Sequence, residues 1–117
     1  IRNKSLGASK DYGGAFKVTG NISDDFDENV INFPIAEQSI VGFSVGFALS
    51  GNPVICEIMF GDFSTLIVDQ VLQHAAKFTK MYGDKVYLPL IIRTPMGGGR
   101  GYGPTHSQSL ERLFLGI

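Results

Sequence analysis

Glu37, Phe63 and His106 are the residues of this chain whose types and placement could do chemistry. Glu37 stands between Pro34-Ile35-Ala36 and Ile40-Val41, so its carboxyl is expected to be weakly solvated. A carboxyl of that kind can share a proton with a ring nitrogen of a ligand. The plainer explanation is that any acid in the first turn of a helix is favoured by the helix dipole. Phe63 could belong to the core, or it could stack on a flat ligand. His106 directly follows the glycine stretch Gly97 to Gly103. A lone histidine is most often structural, but one at a ligand edge can transfer a proton or contact an anion. His74 reads as a bystander, and Cys56, inside an apolar run, as an inert core residue. The glycine stretch has neither the G-x-G-x-x-G register nor a Gly-Lys-Ser/Thr ending, which argues against a phosphate loop. It reads as a mobile loop that closes over a site.

The elements that must position these residues follow from periodicity and breakers. Val30 to Phe33 is a short apolar run ended by Pro34, a strand. Ile40, Val41, Val45, Ala48 and Leu49 have helical spacing between Glu37 and Ser50, and Gly51 is a stop. Gly42 and Gly46 sit one turn apart in that helix, and each costs about 1 kcal/mol against Ala. They imply either close packing on the sheet or a helix contact across an interface. Pro53 to Met59 reads as a strand buried on both faces. Phe63, Leu66, Ile67, Val71, Ala75, Phe78 and Met81 predict a long helix, with Asp62 as its N-cap and Gly83 past its end. Val86 to Arg93 is a second buried strand weakened by Pro89. Ser107 to Leu115 is a helix start. Ser23 caps an acidic turn that runs to Glu28, and Asp11 to Gly20 is loop.

This order predicts an α/β fold with a parallel sheet and short connections. Ligands in such sheets bind at the carboxyl ends of the strands. Phe33 to Glu37, Met59 to Phe63 and Arg93 to His106 are therefore expected to converge. Ile1 to Lys10 has no periodicity and reads as loop, so 1–29 is expected to form an N-terminal loop region and 30–117 the core of the domain. The apolar ending Leu113-Phe114-Leu115-Gly116-Ile117 reads as a domain cut short.

The bulk composition limits the function. The chain has 117 residues, with 10 Lys plus Arg against 11 Asp plus Glu, a net charge of -1. That balance argues against nucleic-acid binding. With 44% hydrophobic and 18% charged residues, the chain can bury a core. Its single cysteine excludes an internal disulfide and a multi-cysteine metal site. No apolar run approaches the roughly 20 residues needed to span a bilayer, and Ile1 to Lys10 lacks the apolar stretch of a signal peptide.

Several segments together resemble a known family. They are DYGGAFKVT, NFPIAEQSIVGFSVGFALSGNPVICEI, VDQV with HAAK behind it, PLIIRTPMGGG and THSQSLE. In this order they resemble the β subunit of the E1 component of 2-oxo acid dehydrogenases. More narrowly, they are similar to the pyrimidine-binding domain of transketolase-type thiamine diphosphate enzymes. The family's cofactor motif is a glutamate followed by four residues and two helix glycines four apart, a spacing that Glu37, Gly42 and Gly46 reproduce.

The resemblance implies a three-layer α/β/α fold with a mostly parallel sheet, here incomplete. It implies that Glu37 hydrogen-bonds N1′ of the aminopyrimidine of thiamine diphosphate, and that Phe63 stacks on that ring with Ile35 beside it. His106 matches the family's HSQ segment, near the channel by which a lipoyl arm enters. Leu90 falls where a backbone carbonyl can hold a structural potassium ion. The Gly-Asp-Gly…Asn segment that binds magnesium and diphosphate is not in this sequence, and the family supplies it from another chain or domain. The implied activity is oxidative decarboxylation of a 2-oxo acid with acyl transfer to lipoamide, and this chain alone is expected to be inactive. The implied partners are an E1 α-type subunit or domain, a second copy of the chain and a lipoyl-bearing E2 component, with neither nucleic acid nor membrane. The implied compartment is a bacterial cytoplasm or a mitochondrial matrix. Acetoin dehydrogenase, transketolase, deoxyxylulose phosphate synthase and a non-catalytic assembly domain of the same fold remain as alternatives.

Overall fold

The structure, a computed structural model, describes residues 2–3, 13–83 and 86–117. Its frame is a four-stranded parallel sheet in the order β2-β1-β3-β4. The strands are β1 (Arg2–Asn3), β2 (Asn32–Phe33), β3 (Val54–Glu57) and β4 (Leu90–Arg93). β1 lies inside the sheet, between β2 and β3. The loop reading of Ile1 to Lys10 therefore fails at Arg2–Asn3, where two residues are too few to show a period. Positions 4–12, including the start of the DYGG segment, lie outside the described residues.

The parallel arrangement follows from helical crossovers between successive strands. Helix α2 (Glu37–Leu49) joins β2 to β3. It buries Ile40, Val41, Ser44, Val45 and Ala48 against the sheet and leaves Gly42 and Gly46 on the outside. Ser44 is buried at no polar cost because its hydroxyl donates to the Ile40 carbonyl at 2.7 Å. The helix ends where Gly51 takes φ +93°, a conformation that glycine adopts without strain.

Between β3 and β4 the chain stays helical from Gly61 to Tyr82 but not as the single regular helix that the spacing predicts. It is a 3-10 helix over Gly61–Ile67, a π-helix over Gln70–Ala75, and an α-helix, α3, over Phe78–Tyr82. The tight first part has three residues per turn, so Gly61, Ser64 and Ile67 share one buried line. Leu66, inward on a 3.6 period, is turned out instead and is 47% exposed. Asp62 does not cap this segment, which starts after Phe60 and has no side-chain cap.

The core is Ile40, Val41, Val45, Cys56, Ile58 and Ile67, with Phe33, Phe63, Val71, Phe78, Leu90 and Ile92 packed against it. All of it lies on one face of the sheet. On the opposite face the register partners Ile55 and Ile91 are 56% and 60% exposed. β3 is thus buried on its inner face, while its outer face is open at Ile55 and covered only at Glu57. The described residues build the parallel α/β sheet with one helical layer, and the second helical layer of a three-layer sandwich is not among them.

Other boundaries moved for local reasons. Pro89 has no N–H to give, so it joins the sheet only through its carbonyl, which accepts from the Val54 N–H at 2.9 Å. β4 then begins at Leu90. The acidic stretch forms α1 (Ile22–Asp25) and a 3-10 turn (Asp27–Asn29), with Ser23 buried inside α1 and Asn21 at its N-cap position. The predicted helix from Ser107 shrinks to a 3-10 turn at Glu111–Phe114. Gln108 does not open a helix, because its carbonyl, which would accept the first intrahelical bond, accepts from the Gly97 N–H instead.

Two predictions follow from the packing. Gly14 has φ +79°, and a Cβ there would run into the Glu57 carboxylate, which is held by Arg93. Gly14→Ala should lower unfolding free energy by about 1–3 kcal/mol. Gly20→Ala, whose Cβ would sit 3.8 Å from the Lys17 carbonyl, should leave the urea midpoint nearly unchanged. Burial pushes the Cys56 thiol above its ordinary value of 9.0, against a smaller opposing effect of the Ser44 hydroxyl. The unfolded chain therefore ionises first, and the contribution of the thiol is full below the unfolded value and is lost as pH rises toward the folded one. Urea titrations at rising alkaline pH should show the wild-type chain losing stability relative to Cys56→Ser.

Candidate active site at the carboxyl edge of the sheet

β3 and β4 end in register, with Glu57 opposite Arg93, and the two side chains form an ion pair on the face away from the core. Both strands then release their chains at the same edge. Ile58 still donates to the Arg93 carbonyl at 2.9 Å, and Gly61 to the Pro95 carbonyl at 2.8 Å. Gly61 must be small here, because a Cβ would press into the Met96 side chain. The segments Met59–Phe63 and Arg93–His106 converge as the parallel sheet predicts.

Their meeting builds an aromatic wall. The His106 ring lies edge-on to Phe60 at 4.8 Å and to Phe63 at 5.3 Å between centroids. Phe60 also meets Phe63 at 5.7 Å, Tyr102 at 5.7 Å and Phe16 at 5.4 Å. These are edge-to-face contacts, the geometry that the ring quadrupole favours. Phe63 and His106 are half-buried, so parts of both rings remain accessible. The His106 Nδ1 lies 2.9 Å from the Thr105 hydroxyl.

The glycine loop is tied to this wall. Arg100 donates to the Gly97 carbonyl at 2.6 Å and its guanidinium lies 4.3 Å from the centre of the Phe16 ring. Such a cation over a ring face is attractive by about 0.5–1 kcal/mol when exposed. Tyr102, from the same loop, packs on Phe60 and Phe16. Phe16, Phe60 and Tyr102 were not singled out by spacing. Their only sequence signal is that aromatic residues flank Gly13-Gly14, Gly61 and the glycine loop, the three places where the chain turns at this edge.

A buried carboxyl group locks the junction. Asp62 is 7% exposed, and its Oδ1 accepts from the Gln108 side chain at 2.7 Å and from the Gln108 backbone N–H at 3.3 Å. The bond spans 46 residues and takes the place of the helix-cap role expected for Asp62.

The remaining candidates are placed as follows. Glu37 is the first residue of α2 and is 7% exposed, and α2 packs on the 3-10 helix that carries Phe63. Ile35 is exposed in the bend just before it. Phe63 and His106 are in ring contact, whereas Glu37 and Ile35 are not brought into contact with them and lie at the start of the neighbouring helix and in the bend before it. Leu90 is at the amino end of β4, the other end of the strand from Arg93. Its carbonyl faces the outer edge, since β3 draws on the carbonyls of Pro89 and Arg93 and, by the alternation of a parallel ladder, of Ile91. His74 is exposed, against Phe78 and 4.0 Å from Asp69. Among the described residues no group of three or more His, Cys, Asp and Glu could hold a metal ion. A nearly buried carboxylate at a helix start and a half-buried aromatic wall fit a flat heteroaromatic ring with a nitrogen that can share a proton.

Residues 3–117 match the family described as transketolase, pyrimidine binding domain. The chain is 39% identical over 118 residues to the mitochondrial 2-oxoisovalerate dehydrogenase subunit beta 2 of Arabidopsis thaliana, covering 99% of this chain and 33% of that protein. It is 39% identical over 107 residues to the pyruvate dehydrogenase E1 component subunit beta of Porphyra purpurea, covering 91% of this chain and 32% of that protein. It is 37% identical over 107 residues to the acetoin:2,6-dichlorophenolindophenol oxidoreductase subunit beta of Bacillus subtilis, covering 91% of this chain and 31% of that protein. The chain thus spans about a third of the length of the curated relatives it matches. With a parallel sheet, a buried acid opening the helix that carries both glycines and nearly its whole length matched, the chain belongs to the transketolase pyrimidine-binding domain family.

Proposed function

We propose that this chain is the pyrimidine-facing part of a thiamine diphosphate site in the β-type subunit or region of a 2-oxo acid dehydrogenase E1 component. The observation that carries the reading is the Glu37 carboxylate, almost buried at the start of α2 in a chain of this family. When bound, thiamine diphosphate supplies the electron sink for decarboxylation of a 2-oxo acid. Glu37 holds a proton at N1′ of the aminopyrimidine, and its low exposure keeps water from competing for that proton. Phe63 and Ile35 give the ring an apolar seat. His106, fixed against Phe60 and Phe63, offers a nitrogen to the reacting end of the substrate or to the incoming lipoyl group.

The site is proposed to be shared. An E1 α-type subunit or domain holds magnesium and the diphosphate, a second copy of the chain packs in the same assembly, and a lipoyl-bearing E2 component takes the acyl group. The Leu90 carbonyl is proposed as one ligand of a structural potassium ion. The domain is proposed to take in the 1–29 region as well as 30–117, because β1 lies inside the sheet and the family match begins at residue 3. The relatives' names cover branched 2-oxo acids, pyruvate and acetoin, which supports a small 2-oxo acid or acetoin as the substrate class. No helix among the described residues is long and apolar enough to cross a membrane, which is compatible with a place in a bacterial cytoplasm or a mitochondrial matrix.

The test uses the full-length protein co-expressed with its partner subunit. Glu37→Gln should lower kcat for 2-oxo acid decarboxylation by about a hundredfold or more, the usual worth of a positioned proton-transfer group. Its circular dichroism and assembly should stay normal. Wild-type turnover in Glu37→Gln would remove the assignment. Phe63→Ala should weaken calorimetric binding of magnesium thiamine diphosphate by about two- to tenfold, the range for a lost ring contact.

A further inference from the structure

We infer that Asp62 is a positioning residue for His106, acting through Gln108. The inference rests on the reading of His106 as part of the thiamine site, and it adds a residue that this reading does not use.

Asp62 has no local task. The 3-10 helix in which it lies has no side-chain cap. Its Oδ1 instead reaches a segment 46 residues away and accepts from both the backbone N–H and the side-chain amide of Gln108. Gln108 is two residues from His106 and is also held from the other side, where its carbonyl accepts from the Gly97 N–H at 3.2 Å. The segment that carries His106 is otherwise exposed from Gly101 to Thr105 and forms no helix or strand. Left to itself, such a stretch would sample many ring positions. The Asp62–Gln108 bond removes that freedom next to the histidine. Phe60 and Phe63, which flank Asp62 in sequence, are the two rings against which His106 rests. One short segment, Phe60 to Phe63, thus supplies the surface for the imidazole and the anchor that holds it there. A buried carboxylate is a costly anchor unless its hydrogen bonds are kept, and charge-assisted bonds are the strong ones.

The test is residue-resolved exchange of the histidine C2 proton, followed by mass spectrometry, in the full-length protein assembled with its partner subunit. Asp62→Ala should speed exchange at His106 and leave His74, an exposed internal control, unchanged. It should also lower kcat by about tenfold to a hundredfold, the loss expected for one hydrogen bond to a charged group. Asp62→Asn keeps an acceptor oxygen for both donors and should restore most of the His106 protection and of the turnover. Gln108→Ala removes the side-chain donor at an exposed position and should give the same direction of change, smaller in size. It decides the matter if Asp62→Ala does not fold. Unchanged His106 exchange in Asp62→Ala, or an equal rise at His74, would overturn the inference, as would an Asp62→Asn variant as impaired as the alanine. Faster His106 exchange with normal turnover upholds the anchor and overturns the role of His106 in the site.

Discussion

The register of β3 against β4 is the constraint on which the site depends. Glu57 faces Arg93 across the last pair of the ladder, and their side chains close an ion pair there. A slip of β4 by one residue against β3 would send Ile92 to the outer face and Ile91 into the core. It would also move the two departing segments, and with them Phe60, Phe63 and His106. The pair reaches further through Gly14, whose missing side chain lets the 13–20 turn press on the Glu57 carboxylate. That turn carries Phe16 to Phe60 and Tyr102. An ion pair at the end of two strands thereby sets the edge of an aromatic wall that it does not touch.

Glu37 shows how packing can hold an acid in place without a cap. α2 has no side-chain cap, and its first ordered bond is the Ile40 N–H to the Ala36 carbonyl at 3.0 Å. The helix is held by its buried stripe, in which Ile40 and Val41 follow Glu37 by less than one turn and a half. Burying each such side chain is worth about 1.5–3 kcal/mol, enough to draw the neighbouring carboxylate into the same low-exposure setting. The helix dipole reduces the cost, since the positive end faces the acid. The low exposure of Glu37 is therefore set by the apolar residues that follow it as much as by the glutamate itself.

What could be read from the sequence was what depends on local pattern. The α2 stripe, the stop at Gly51 and the parallel order of β2, β3 and β4 follow from spacing and breakers. Glu37 and Phe63 were visible because each stands at a strand-to-helix junction. What was not legible depends on distant partners. Asp62 looks like a cap on local grounds and is an anchor only because Gln108 arrives from 46 residues away. The helix after Ser107 looks regular until the Gly97 N–H takes the Gln108 carbonyl that its first turn would need. Leu66 looks inward until the 3-10 winding turns it out. β1, with two residues, has no period and is defined only by the strands on either side.

The same distant bonds explain why the site reads as one half of a larger one. The aromatic wall, the exposed Ile35 and the buried Glu37 are suited to a flat ring and a shared proton. The arginine before the glycine loop and the one within it are engaged within the chain, Arg93 with Glu57 and Arg100 with Gly97 and Phe16. A diphosphate needs cationic or metal partners, and neither arginine can turn to one without giving up the contact that fixes the wall. The proposed division follows from this conflict. These two arginines hold the frame of the wall, and the proposed division of the site leaves the charged end of the cofactor to another surface.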